Sequence, residues 1–197
     1  MKLFLPNNLE TSGVPVLLHA CCAPCSSSVV ECMLQNDMKP TVYFCNPNIY
    51  PLEEYAIRKE ELKRFLAQQD VPYMEDEYDH ECWKKSVEGL ENEPERGHRC
   101  MKCFELRMKR TAAYAAQNGF RWFTTTLSSS RWKSYEQIVA AGEKAAELYA
   151  DVVFWTQNWR KGGLQQRRAE LLRENLFYNQ LYCGCEYSIR PVKNNNE

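Results

Sequence analysis

The sequence predicts an α/β fold in which a mostly parallel sheet is flanked by helices. Short apolar runs typical of buried strands alternate along the chain with amphipathic segments typical of helices. With 44% hydrophobic and 26% charged residues among 197, the composition is that of a globular protein. We expect one α/β domain over residues 1–197, with an irregular acidic insertion at about 75–98 and an extra helical segment near the C-terminus.

The first half of the chain supplies three predicted strands and two helices. Val14–His19 is a short apolar run, as expected of a strand buried on both faces. After a cysteine-rich loop, a helix is predicted at about residues 26–36, and it begins with three serines. Thr41–Cys45, rich in β-branched and aromatic residues, is the second strand. Leu52–Gln69 is a helix because its apolar residues fall on one stripe, and Val71–Met74 is a short third strand.

The second half begins after the acidic residues 75–98, where glycine and proline break any regular pattern. Arg99–Asn118 is a strongly periodic helix, and Gly119 can end it in the left-handed conformation. The remaining predicted elements are a strand at Phe120–Thr126, a helix at Ser134–Ala150, a strand at Val152–Trp155 and a helix at Leu164–Leu176.

Hydropathy gives no reason to place the chain in a membrane. No apolar run approaches the roughly 18 residues that a membrane span requires. Polar residues also interrupt any signal-peptide core near Met1. We therefore expect a cytoplasmic protein without a membrane partner.

Charge is distributed unevenly between the two halves of the chain. Residues 1–98 carry 9 basic and 17 acidic residues, whereas residues 99–197 carry 16 basic and 9 acidic residues. This difference predicts either a basic face that attracts a polyanion or, more simply, solvated helix surfaces of opposite sign.

Cysteine is the most informative residue type, with ten copies in the chain. Six of them form three close pairs, which in a chain without an export signal favour metal or redox chemistry over structural disulfides. Three isolated cysteines, Cys32, Cys45 and Cys82, are interpreted as core residues. The three pairs are Cys21–Cys22, Cys100–Cys103 and Cys183–Cys185.

The spacing of the first two pairs favours an iron–sulfur cluster over zinc. Structural zinc is usually held by two C-x-x-C knuckles on short loops, whereas here one pair is vicinal and the other opens a long helix. Vicinal thiolates reach two irons of a larger cluster more easily than they close one tetrahedral site. A [4Fe–4S] cluster on Cys21, Cys22, Cys100 and Cys103 therefore fits best. The spacing Cys22-x-x-Cys25 is a competing choice, so Cys25 stays open as a ligand.

The Cys183-Gly184-Cys185 motif has three interpretations. A disulfide between its two cysteines would close a tight, strained ring that is easily reduced, which suits a reversible electron relay. Two reduced thiols, or two ligands of a second metal, are the alternatives.

Polar loops after the predicted strands supply candidate substrate contacts. The asparagines and the threonine among them can hydrogen-bond a ribose, a phosphate or a base edge, although ordinary turn formation explains them equally well. The Trp-Arg-Lys sequence combines an aromatic ring with two cations, which suits stacking on an unpaired base and phosphate contact. His19 is interpreted as a buried core histidine. The candidates are Asn46, Asn48, Thr125, Trp159, Arg160 and Lys161.

Together these motifs resemble the QueH-type epoxyqueuosine reductases, a cobalamin-independent class that completes the tRNA nucleoside queuosine. The motifs occur in one order over nearly the whole chain, which makes the resemblance specific, whereas the segment at residues 75–98 matches nothing in the family pattern. The matching stretches are Leu17–Cys25, Asn46–Pro51, Arg99–Cys103, Phe123–Leu127, Trp159–Lys161 and Tyr182–Ser188.

The resemblance implies a Rossmann-like fold of the nucleotide hydrolase type (HUP/PP-loop hydrolase-like). The implied substrate is epoxyqueuosine at the wobble position of a tRNA with a GUN-type anticodon, reduced with electrons from an external low-potential donor. A further iron or other metal beside the cluster is compatible with this family. The implied [4Fe–4S] ligands are Cys21, Cys22, Cys100 and Cys103, and the implied redox-active pair is Cys183 and Cys185.

Two other functions remain open from the sequence. An ATP-dependent tRNA-modifying enzyme of the thiolation type would carry an S-G-G-x-D-S loop for pyrophosphate after the first strand, where this chain has HACCAPC. A zinc-stabilised RNA-binding module without catalysis is the alternative from a different class. Hydride-like, radical and thiolate-attack routes to epoxide reduction are all compatible with the sequence.

Overall fold

Five strands and six helices follow one another in the computed structural model, which describes Leu3 and residues 13–189. In chain order they are β1 (Pro15–His19), α1 (Ala23–Leu34), β2 (Lys39–Phe44), α2 (Leu52–Gln68), β3 (Tyr73–Glu75), α3 (His80–Ser86), α4 (His98–Gln117), β4 (Trp122–Thr125), α5 (Tyr135–Ala146), β5 (Val153–Phe154) and α6 (Leu164–Glu174), with 3-10 turns at Thr126–Ser129 and Glu186–Ser188.

All five strands are parallel and form one sheet in the order β3-β2-β1-β4-β5. The central strand β1 pairs with β2 and β4, so His19 lies opposite Tyr43 on one side and Thr125 on the other. In such sheets ligands bind beyond the carboxyl ends of the strands, at the point where the strand order reverses. The predicted α/β class is confirmed, and the strand order is compatible with the Rossmann-like arrangement that the resemblance implies.

The central strands are buried on both faces, which explains their nearly continuous apolar sequences. Along β1, Val16 and Leu18 belong to one hydrophobic cluster, and Leu17, on the opposite face, belongs to another. Helices α1, α2 and α6 supply the first cluster, and α4 and α5 supply the second. The sheet is therefore the middle of three layers, and its strand ends are left open for a site.

Three predicted segments differ from the structure for identifiable reasons. Helix α1 begins three residues earlier than predicted, because Pro24 occupies its first turn, where a missing N–H costs nothing. Helix α5 ends at Ala146, where Tyr149 N–H closes a turn onto the Ala146 carbonyl at 3.0 Å. The segment predicted as irregular contains α3, whose start is capped by the Asp79 carboxylate accepting from Cys82 N–H at 2.9 Å.

No helix in the described part of the chain is long and apolar enough to span a membrane. Residues 1, 2, 4–12 and 190–197 lie outside the described residues, so a single domain over residues 1–197 stays a prediction.

Candidate functional site

A cavity of about 770 Å³ opens at the carboxyl ends of the central strands. Its wall includes Cys21, which follows β1, and Ser129, which follows β4. Cys25, Cys100 and Cys183 also line it. Each of the three cysteine pairs therefore contributes one thiol to the cavity wall, and Cys25 adds a fourth. Segments that are far apart in sequence therefore converge on the site position expected for a parallel sheet.

Cys21, Cys22 and Cys25 form a buried three-thiol group, with their sulfurs all within 4.8 Å of one another. Cys22 is the N-cap residue of α1 and Cys25 lies in the first turn, so the two side chains share one side of the helix. The sulfurs of Cys21 and Cys22 are 3.7 Å apart. Two thiolates on one tetrahedral metal lie about 3.8 Å apart, given metal–sulfur bonds of about 2.3 Å. Cys25 thus belongs geometrically with the vicinal pair.

The second cysteine pair lies near the start of α4, and its two thiols lie in different environments. Cys100 is half-buried at the cavity, and its sulfur accepts a hydrogen bond from Arg96 N–H at 3.2 Å. Cys103 is buried in a separate cluster that contains Trp83 and Cys185. Among the described residues, neither thiol lies close enough to join the compact three-thiol group. The four predicted ligands are therefore not gathered into one compact group in this structure, and the ligand set stays a prediction.

The third cysteine pair is carried by residues 178–188, which we call the C-terminal strap. None of the ten cysteines, all of which lie in the described part of the chain, is joined in a disulfide in this structure, so the Cys183–Cys185 disulfide stays a prediction. Gly184 between them has a φ of +114°, a conformation that side chains rarely adopt. A Cβ at this position would also lie 3.0 Å from Nη1 of Arg58. The glycine therefore permits the close approach of the strap to α2.

A buried ion pair anchors the C-terminal strap. Arg58 on α2 is 2% exposed, and its guanidinium pairs with Glu54 at 2.6 Å. The same guanidinium donates to the carbonyls of Tyr182 at 3.2 Å and Cys183 at 3.0 Å. On the strap's other side, Gln180 Nε2 donates to the sulfur of Cys22 at 3.0 Å. The strap backbone is thus fixed between α2 and the three-thiol group.

Protons are shared unequally within the three-thiol group. The pKa of Cys25 lies well below its ordinary value, because the thiols of Cys21 and Cys22 donate hydrogen bonds to it, with Lys133 and Arg168 as nearby cations. The pKa of Cys22 is raised well above its ordinary value by its hydrogen bonds with Cys21 and Cys25, and by burial. The group therefore forms one thiolate readily and holds the next proton firmly.

Burial raises the pKa of three thiols outside the three-thiol group. This applies to Cys100, to Cys103 and to Cys185, whose pKa rises to about 12. Metal binding requires thiolates, so loading of these positions releases protons and becomes more favourable as the pH rises.

The cavity is cationic, although the whole chain has a net charge of −1. Burial opposes the charge on Lys133, but its electrostatic interaction with the sulfurs of Cys183, Cys21 and Cys25 raises its pKa above the ordinary value. The ammonium group is therefore retained beside the thiols. Lys133 was not predicted from the sequence, although Arg131-Trp132-Lys133 contains the same residue types as Trp159-Arg160-Lys161, because nothing in its spacing relates it to the cysteines. The charged residues lining the cavity are the bases Arg58, Arg96, Arg131, Lys133 and Arg168 and the acid Glu95.

Four of the six predicted substrate contacts are buried, and two of these, Asn46 and Thr125, already have protein partners. Asn46 donates from Nδ2 to the Ala20 carbonyl at 2.8 Å and accepts from Arg107 at 2.5 Å. The hydroxyl of Thr125 pairs with His19 and accepts from Leu127 N–H at 3.1 Å. Asn48 is 1% exposed, and its Oδ1 has no hydrogen-bond partner among the residues that the structure describes. Asn46 and Thr125 therefore organise the loops at the strand ends.

The predicted stacking role of Trp159 is wrong for this structure. Its ring is fully buried and lies edge-on to Trp155, with centroids 5.2 Å apart, so no base can reach its face. Arg160 is half-buried and donates to the Lys133 carbonyl at 2.7 Å, which supports the loop that carries this lysine. Lys161 is exposed and remains a predicted phosphate contact.

His19 and two isolated cysteines are core residues, as predicted. Cys32 and Cys45 are fully buried, whereas Cys82 is partly exposed. His19 pairs through Nδ1 with Thr125 Oγ1 at 2.7 Å and through Nε2 with the Cys45 carbonyl at 3.0 Å. Burial and, to a smaller extent, Arg107 lower the His19 pKa to about 3. The imidazole is therefore neutral, with both nitrogens engaged.

The neutral state of His19 predicts that the protein loses stability in mild acid. Between its unfolded pKa of about 6.5 and its folded pKa of about 3, only the unfolded chain binds the proton. His19 should therefore lower the unfolding free energy by about 1.4 kcal/mol for each pH unit below 6.5. Above that pH its contribution is constant. Urea unfolding over this range measures the slope, which should be smaller in His19→Gln. The exposed-site variant His98→Gln is the control, and equal slopes for wild type and His19→Gln contradict the prediction.

Comparison with known proteins gives a consistent result. A family model described as Epoxyqueuosine reductase QueH matches residues 16–191, a range that includes all six paired cysteines. A protein of that name from Histophilus somni (strain 129Pt) is 50% identical over 191 residues, which cover 97% of this chain and 77% of the relative.

More distant relatives carry the same name. The protein from Acinetobacter baylyi is 46% identical over 192 residues, covering 98% of this chain and 86% of the relative. The protein from Thermotoga maritima is 33% identical over 177 residues, covering 88% of this chain and 90% of the relative.

Proposed function

Since the chain belongs to the family of the epoxyqueuosine reductase QueH and is therefore an oxidoreductase, we propose that it reduces epoxyqueuosine to queuosine at the wobble position of tRNA. The observation that best supports this activity is the cationic cavity lined by Cys21, Cys25, Cys100 and Cys183. Such a cavity combines redox-competent thiols with positive charge suited to a nucleic acid.

The residues of the site fit an iron–sulfur cofactor. The donors gathered at the cavity are thiols, and soft thiolates select iron–sulfur clusters, zinc or copper(I) over harder ions. His19, the only imidazole adjacent to the vicinal pair in sequence, is neutral but has both nitrogens engaged. We propose Cys21, Cys22, Cys100 and Cys103 as the [4Fe–4S] ligands. Cys25 is then left as a candidate ligand for a further metal beside the cluster.

The proposed reaction removes one oxygen atom from the substrate. Both C–O bonds of the epoxide break, two electrons and two protons are consumed, an alkene forms and the oxygen leaves as water. A [4Fe–4S] cluster, when bound, supplies electrons singly from a low-potential donor. The reduced thiols of Cys183 and Cys185 hold two further electrons and two protons, which their oxidation to a disulfide releases.

Lys133 is the residue best suited to assist at the epoxide oxygen. Its ammonium lies in the cavity wall, and the neighbouring cysteine sulfurs raise its pKa, so it stays charged. A cation held in a restricted cavity stabilises negative charge that develops on oxygen far better than one in water. The Nζ group can also donate a proton to that oxygen as the first C–O bond breaks.

Replacement of Lys133 by methionine should lower kcat by about 100-fold, the usual effect of removing one preorganised group that stabilises an oxyanion. Lys133→Arg, which keeps the charge, should retain more activity. Lys144→Met is the control, because the Lys144 side chain is 58% exposed and does not line the cavity. Single-turnover kinetics with protein of matched iron content make the measurement. A wild-type rate in Lys133→Met would exclude this role.

Metal content distinguishes the proposed reductase from a zinc-stabilised RNA-binding module. The protein is purified without oxygen, and its iron, acid-labile sulfide and zinc are quantified. We expect iron and sulfide in nearly equal amounts, with visible absorption. Colourless protein with zinc alone would contradict the iron–sulfur assignment.

A further inference from the structure

The rim of the thiol cavity carries an unusually exposed aromatic ring. Trp132 is 68% exposed, whereas Trp83, Trp122, Trp155 and Trp159 are all buried. An indole this exposed has little to contribute to the packing of the protein itself. Its ring lies in the cavity wall, so it is available to whatever enters the site.

The neighbouring arginine makes this ring part of a platform. The guanidinium of Arg131 lies over the Trp132 ring, 4.8 Å from its centroid, and both residues line the cavity. Aromatic rings and guanidinium planes are the two surfaces on which proteins stack unpaired nucleic-acid bases. We use the name rim platform for Arg131 and Trp132.

Arg96 holds the rim platform in place. Its Nε donates to the Trp132 carbonyl at 2.9 Å, and its Nη2 donates to the Arg131 carbonyl at 3.1 Å. Gln137 in turn donates to the Arg96 carbonyl at 2.8 Å. An arginine used in this way is a fork that fixes two successive peptide groups, a geometry that lysine cannot reproduce.

Arg96 also connects the rim platform to the thiols. Its backbone has a φ of +72°, in the left-handed region that a non-glycine residue adopts at a cost. In this conformation its N–H donates to the sulfur of Cys100 at 3.2 Å. The same residue therefore contacts a candidate ligand through its backbone and the platform through its side chain.

We propose that the rim platform stacks an unpaired base of the tRNA anticodon loop and that Arg96 positions the platform beside the reaction site. This inference rests on the proposed tRNA substrate and extends it to the residues that hold the loop. Charge complementarity favours RNA as the occupant, because five cations and one acid line the cavity. The bases of a loop are already partly unstacked, so their transfer onto a protein ring is inexpensive.

The test is the affinity for an unmodified anticodon stem–loop RNA with a GUN anticodon, measured by fluorescence anisotropy at several salt concentrations. Trp132→Ala should weaken binding about tenfold, as expected for the loss of one stacked base, without changing the salt dependence. Trp132→Phe should restore most of the affinity. Arg131→Gln should also weaken binding and should lower the salt slope by about one. Arg121→Gln is the matched control, because Arg121 also lies over a tryptophan ring but outside this cavity.

The positioning role of Arg96 has its own readout. Arg96→Lys keeps the charge, so the salt slope of RNA binding should not change. The affinity should fall, because lysine cannot hold both carbonyls of the rim platform. In a Trp132→Ala background the same change should have little further effect, because its influence passes through the platform. Full additivity of the two substitutions would show that Arg96 acts elsewhere.

Two results would overturn the rim platform. One is an equal RNA affinity of wild type and Trp132→Ala at every salt concentration, with both variants folded by circular dichroism. The other is a Trp132→Ala variant that binds RNA normally and turns over more slowly only when an acidic donor protein, and not dithionite, supplies the electrons. That result would make the platform a docking site for the donor protein. Binding is measured without turnover, so failure of the wild type to reduce epoxyqueuosine-tRNA would refute the proposed function by a separate measurement.

Discussion

Replacement of Cys100 by serine should abolish the visible absorption of the iron–sulfur cluster and lower epoxyqueuosine reduction by more than about 100-fold. Loss of an outer hydrogen-bonding partner of a metal site costs about 10- to 100-fold, and loss of a ligand should exceed that. Cys100 lies at the cavity, half-buried, with its sulfur held by Arg96 N–H at 3.2 Å. Visible spectra, iron content and turnover of the anaerobic protein check the prediction.

Two further serine variants make this experiment specific. Cys82→Ser is the matched control, because Cys82 has the same intermediate exposure and does not line the cavity. Cys25→Ser separates the two possible ligand sets and should retain the cluster absorption. Full cluster content in Cys100→Ser, with loss in Cys25→Ser, would move the fourth ligand position to Cys25 in the three-thiol group.

Replacement of Cys185 by alanine should leave the cluster absorption intact and eliminate multiple turnover. The thiol of Cys185 is protonated at neutral pH, because burial raises its pKa to about 12, so the reduced pair stores protons together with electrons. Without Cys185 the strap cannot form the Cys183–Cys185 disulfide. Product formed per protein molecule, followed with dithionite in excess, should stop at about the first turnover.

The relay interpretation fails if Cys185→Ala loses its iron, since the pair would then be metal ligands. It fails equally if this variant turns over continuously at the wild-type rate. Cys82→Ala, which makes the same chemical change outside the cavity, is expected to keep both the absorption and the turnover.

Most of the fold follows from local patterns in the sequence. The long helix α4 has a clear apolar period, and Gly119 ends it with a φ of +73°, as predicted. Helix α3 was missed because it has seven residues, too few to establish a period, and depends on the Asp79 cap. The alternation of strands and helices predicts a mostly parallel sheet. It does not predict the strand order β3-β2-β1-β4-β5.

The site was less predictable, because its parts meet only in the folded chain. The sequences Arg131-Trp132-Lys133 and Trp159-Arg160-Lys161 contain the same three residue types, but packing exposes Trp132 and buries Trp159. Arg58 lies on a regular helix and shows its role only through its contact with the strap. Cysteine spacing predicts metal or redox chemistry, whereas tertiary packing decides which cations and rings surround the thiols.

The central claim is that this protein removes the epoxide oxygen from tRNA-bound epoxyqueuosine. Its most direct test is mass spectrometry of the nucleosides from tRNA containing epoxyqueuosine, after anaerobic incubation with iron-loaded protein and dithionite. We predict conversion of epoxyqueuosine to a nucleoside lighter by one oxygen atom, without ATP, and no conversion with Cys100→Ser. Unchanged epoxyqueuosine with fully loaded wild-type protein, or an ATP-dependent gain of sulfur by the tRNA, would contradict the account.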